Sequence, residues 1–135
     1  MRYVVLIGRV FFTAIFLSSA PHHITKQYIA YGASQGVPMP GLLVPLSGAI
    51  AFVGALSILV GYRARIGGWL LVVFLVPVTL TMHNFWADPA TAAVQQTMFM
   101  KNLSMLGGAL LISHFGAGPM SVDELLKARA GRGGQ

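Results

Sequence analysis

The 135-residue sequence contains no cysteine, which excludes disulfides, thiolate metal sites, thiol redox chemistry and covalent haem attachment from this chain. Charge is also scarce. Asp, Glu, Lys and Arg make up 9% of the residues, against roughly 25% in soluble domains. Only three are acidic, Asp88, Asp123 and Glu124, so a basic residue inside an apolar stretch has no nearby carboxylate in sequence. GxSxG, Walker, Rossmann and HExxH signatures are missing too, and the enzyme classes that depend on them have no support.

What the sequence has is apolar length. The stretches 10–25, 27–62, 66–87 and 102–122 carry no charged residue, and each holds an apolar core near the roughly 20 residues that cross a bilayer as a helix. They lack the period-two alternation of barrel strands. The expected fold class is therefore all-α: an integral membrane antiparallel four-helix bundle. Its helices are expected at about 3–19, 42–61, 66–83 and 98–114, in one transmembrane domain over 1–118. The first resembles a signal peptide, but Arg9 interrupts it and Pro21 would follow the cleavage site at Ser18-Ser19-Ala20, so it is expected to be retained.

Between the first two helices, Ile24, Tyr28 and Tyr31 recur at helical spacing and predict a short interfacial helix that Gly32, Gly36 and the Pro38–Gly41 run would break. Ser47, Ala51 and Ala55, with Gly48 and Gly54, give helix two a small-residue face for close packing. Ser104, Gly107 and Gly108 offer the same on helix four. Pro77 predicts a kink in helix three, with Thr79 and Thr81 able to satisfy freed backbone groups. In 119–135, Ser121 to Glu124 has capping-box form; it predicts a surface helix to about Ala130, with Gly131–Gln135 unstructured.

The net charge of +6 reads as a topology signal rather than a nucleic-acid surface. With the N-terminus inside, Arg2, Arg63, Arg65, Lys127, Arg129 and Arg132 are cytoplasmic, against Lys26 and Lys101 outside. Both termini are then cytoplasmic in a bacterial inner (plasma) membrane.

Polar chemistry concentrates between Thr79 and Gly108. His83, Asn84 and Trp86 close helix three while Lys101 and Asn102 open helix four, and together they suit a quinone headgroup or a lipid phosphate at the outer surface. The plainer reading is interfacial anchoring by Trp and His. Arg9 lies about 9 Å along helix one. It and Lys101 either snorkel to headgroups or bind a ligand, a backbone carbonyl or another subunit. His22, His23 and His83 lack the ligand spacing of a metal site, and neither a metal set nor a catalytic residue is assigned.

Gly8-Arg9-Val10-Phe11-Phe12-Thr13-Ala14-Ile15-Phe16, the Pro38–Gly41 turn, His83-Asn84-Phe85-Trp86, and Phe99-Met100-Lys101-Asn102-Leu103 followed by Gly107-Gly108 together resemble the DoxX family of small bacterial membrane proteins, from about Gly8 to Gly118. The resemblance implies a four-helix membrane bundle and a link to quinone-dependent redox and oxidative-stress systems. It carries over Arg9, His83, Lys101 and Asn102 as functional candidates. The leading expectation is thus an accessory or scaffold subunit of a membrane redox system that holds a non-covalent quinone or a lipid. Other redox subunits, the bilayer and a second copy in a homodimer are its expected partners. The alternative is a small-molecule or lipid transporter or carrier; a third reading is an enzyme acting on a membrane-soluble substrate.

Overall fold

A computed structural model describes residues 1–132; Gly131 and Arg132 are helical where the sequence predicts an unstructured end from Gly131, and the remainder of that expectation, at 133–135, lies outside the described residues. The elements are α1 (Arg2–Ser19), a 3-10 turn (Ala20–Ile24), α2 (Lys26–Ser34), α3 (Pro40–Val60), α4 (Ala64–Met82), α5 (Ala92–Phe115) and α6 (Val122–Arg132). The protein is all-helical, with no strand among the described residues. α5 starts at Ala92, ahead of the apolar run, and so draws Gln95, Gln96, Lys101 and Asn102 into its first half.

Three helical segments, Arg2–Ile24, α3 and α4, are long and apolar enough to cross a membrane. Only 22% of the apolar window of the first is buried inside the protein, and 33% of each of the others, so most of each helix looks outward. Phe11, Val53, Trp69 and Val73 are among the exposed side chains. Helices apolar on their outer faces need lipid rather than water around them, and this is a multi-pass membrane protein.

α3 packs on α1 and α4, and α4 packs in turn on α5. The core comprises Phe16, Ala51, Ala55, Ile58, Leu71, Phe74, Leu75 and Ala109, with the Phe16 and Phe74 rings edge to face at 6.3 Å. Lipid supplies no hydrophobic drive between helices, so close backbone approach must hold them. The small residues of α3 and α4 allow it. A Cβ on Gly67 would stand 2.7 Å from the Gly54 carbonyl oxygen, and one on Gly68 would stand 2.8 Å from Ser113 N. Thr81 Oγ1 donates to Pro77 O at 2.8 Å, beside the proline in α4.

The chain is latched at the end where α1 begins and α5 finishes. Arg9 is buried, and its Nη2 donates to Met120 O at 2.6 Å. Met120 has φ +58°, a left-handed conformation costly for a residue with a side chain; here it aims the carbonyl at the guanidinium. The Asp123 carboxylate accepts from Arg63 N at 2.8 Å and Ala64 N at 3.2 Å, capping α4 from across the fold. Its own N–H donates to Gly61 O at 2.9 Å. Ser121 Oγ accepts from Glu124 N while Glu124 Oε2 accepts from Met120 N, a capping box closed one residue early.

Candidate functional site: a cavity under α2

The opposite end of the molecule is built around α2. Thr25 starts this helix, its Oγ1 accepting from Tyr28 N at 3.4 Å, and two glycines let it settle on α3. A Cβ on Gly32 would lie 2.6 Å from Val44 Cγ2, and one on Gly48 would lie 2.5 Å from His23 Cβ. Gly32 therefore sits inside α2 as a packing position, where the sequence pattern has it break the helix. The 3-10 turn and α2 form a roof. His23 is part of that turn, its ring 5.4 Å from that of Tyr28 and 5.8 Å from that of Phe74, with Nδ1 3.2 Å from Ser19 O.

The roof covers a cavity of about 950 Å³ bounded by the end of α1, the start of α3, the end of α4 and the first half of α5. That volume is near the upper end of ligand pockets, which run to roughly 1,000 Å³. Gln27, Tyr28, Tyr31, His83 and Lys101 border it near the helix ends; Ile50 and the buried Phe74 and Leu75 border it farther along the helices. Thr81 and Val73 both line it, and at 1.5 Å per residue their separation along α4 is roughly 12 Å. The space is therefore amphipathic, with polar groups at one end and an apolar floor. No Asp or Glu lines it.

Of the sequence-predicted residues, His83, Lys101 and Asn102 come together on this cavity. His83 Nδ1 and Gln95 Oε1 are 2.9 Å apart, tying the end of α4 to the start of α5. Lys101 is exposed at the mouth, and its Nζ lies 3.2 Å from Met98 Sδ, a weak acceptor. Asn102 is only 5% exposed, and its amide makes no hydrogen bond among the described residues. The remaining three lie elsewhere. Arg9 is in the latch at the far end, where its partners are backbone carbonyls. Asn84 accepts through its backbone carbonyl from Ala87 N. Trp86 is exposed, in an aromatic cluster with Phe85 at 5.2 Å and Phe99 at 6.1 Å.

His23, Gln27, Tyr28, Tyr31 and Ser47 also line the cavity and were not singled out from the sequence as site residues. The spacing of Ile24, Tyr28 and Tyr31 signals the helix that carries them. The packing at Gly32 and Gly48 is what sets that helix and the turn before it against α3.

The sequence model of the SURF4 family matches residues 43–129, more than half of the chain. The chain is 30% identical over 125 residues to the inner membrane protein YqjF of Escherichia coli (strain K12), an alignment covering 93% of each protein. It is 32% identical over 79 residues to the ER-derived vesicles protein ERV29 of Saccharomyces cerevisiae, covering 58% of this chain and 26% of ERV29. No solved structure matches.

These matches overturn the resemblance to DoxX, and the redox-subunit role and quinone that came with it go too. The physical reason lies in the motifs themselves. Arg9 is a latch, Phe85, Trp86 and Phe99 meet edge to face, and Gly108 makes room for Phe12. Such positions serve helix packing, which unrelated small membrane bundles share. With a family match over residues 43–129 and an end-to-end relative in YqjF, the chain belongs to the SURF4 family.

Proposed function

We propose that this protein is a membrane-embedded carrier that binds an amphiphile beneath α2 and moves or presents it within the bilayer. The observation that carries the reading is the cavity, about 950 Å³ with an apolar floor and a polar mouth. Carrier function asks for a shaped, lipid-accessible space and no reacting groups, which agrees with a sequence lacking catalytic signatures. One relative is named for an inner membrane and another for ER-derived vesicles, two settings that a binding and carrying role suits.

In this reading α5 is the fourth span. Its 24 residues would extend roughly 36 Å, enough for a hydrocarbon core of about 30 Å. Both termini then face the cytoplasm of a bacterium, with Arg63, Arg65, Lys127, Arg129 and Arg132 beside the latch, and the cavity mouth opens toward the outer leaflet.

The test is native mass spectrometry with lipid extraction on gently purified protein, alongside liposomes that report movement of a labelled amphiphile. A stoichiometric amphiphile that disappears when Ile50→Trp fills the floor supports the carrier. An empty protein whose liposomes behave as protein-free ones sinks it.

A further inference from the structure

Resting on the carrier reading, we infer that the amphiphile's headgroup is anionic, of carboxylate or phosphate chemistry, and that Lys101 and Asn102 recognise it. Two observations meet here. Lys101 brings a cation to the mouth of a cavity lined by no carboxylate. Asn102, more than nine-tenths buried, lines the same cavity with its amide unpaired among the described residues.

Among the described residues no carboxylate faces this cavity. Asp123 and Glu124 accept from backbone N–H groups at the opposite end, and Asp88 accepts from Ala90 N and Thr91 Oγ1 within its own turn. A cation beside low-dielectric walls whose hydrogen-bond partner among the described residues is a thioether gains most from an anion. The adjacent amide can donate to that anion's second oxygen. Consecutive residues on a helix sit about 100° apart, so the two groups grip a headgroup from neighbouring directions. Tyr28 and Tyr31 border the same mouth on α2 and add phenol donors from the roof. A cationic headgroup would meet Lys101 without compensation.

The experiment measures equilibrium binding to the full chain in neutral nanodiscs, with oleate, lysophosphatidate, monoolein and inorganic phosphate as probes. The anionic amphiphiles are expected to bind at least tenfold more tightly than monoolein; whichever of the two binds better identifies the headgroup. Lys101→Met should weaken them roughly tenfold to hundredfold and leave monoolein unchanged, while Lys101→Arg restores binding. Asn102→Leu should act in the same direction with a smaller effect. Equal binding of oleate and monoolein, or Lys101→Met indistinguishable from wild type, overturns the headgroup inference and leaves the carrier standing. Inorganic phosphate competing as well as the amphiphiles overturns it in favour of a soluble anion. Binding of no amphiphile at all overturns the carrier reading itself.

Discussion

Asp123→Ala removes the acceptor that Arg63 N and Ala64 N share at 2.8 and 3.2 Å. Losing a side-chain cap at a helix N-terminus costs about 0.5–2 kcal/mol, and losing the negative charge beside that terminus adds about 0.3–1 kcal/mol. Both bonds are partly open to solvent, which places the total at about 1–2 kcal/mol. That corresponds to a roughly 5- to 30-fold rise in the fraction of molecules whose tail has left the α3–α4 turn. The Asp123 N–H bond to Gly61 O and the Arg9 bond to Met120 O remain, so opening should be local. Hydrogen exchange reads it directly. Amides of Arg63, Ala64 and α6 should exchange faster by that factor, while those in the middle of α3 and α4 keep wild-type rates. Asp123→Asn keeps an acceptor oxygen without the charge and should fall between the two. Wild-type exchange at Arg63 and Ala64 in Asp123→Ala would show that the carboxylate caps nothing and does not hold the tail to the α3–α4 turn.

Glycines in the helix contacts give a graded series. Gly67→Ala and Gly68→Ala place a methyl within 3 Å of neighbouring backbone or side-chain atoms and should each cost about 1–3 kcal/mol in a denaturing-detergent titration. Gly107→Ala, with nothing within 4 Å of its Cβ position, should be neutral or stabilise by about 0.5–1 kcal/mol through helix propensity. Gly48→Val drives into His23, and should lower amphiphile binding by displacing the roof while the helical circular dichroism stays at the wild-type value. Because the chain has no cysteine, Asp88→Cys and Lys127→Cys each introduce a single thiol. In intact spheroplasts an impermeant maleimide should label the first alone; labelling of the second would reverse the proposed topology.

The helices were legible because their cause is local. Apolar runs near the bilayer's length, bounded by Gly61, by the Pro38–Gly41 turn and by His83, leave the backbone no other way to satisfy its hydrogen bonds in lipid. The Ser121 and Glu124 spacing likewise announced α6, whose cap forms within four residues. Arg9 was legible as a group needing a partner. Its partner was not, because Met120 lies 111 residues away and offers a backbone carbonyl common to every residue. The same limit hid half of the cavity. His83, Lys101 and Asn102 stand out as polar residues beside apolar ones, whereas His23, Tyr28 and Tyr31 sit in a connection where polar residues are ordinary.

By itself the sequence determined that this chain lives in a membrane, that it is helical, and that its carboxylates are too few to neutralise its basic residues. These are properties of composition and short-range pattern. Only the tertiary structure decided that α2 folds over α3, because that depends on which glycine faces which side chain across the bundle. It also decided that Lys101 and Asn102 border a half-open amphipathic space while Arg9 holds the tail at the other end, since a cavity is a relation between helices that no single segment encodes.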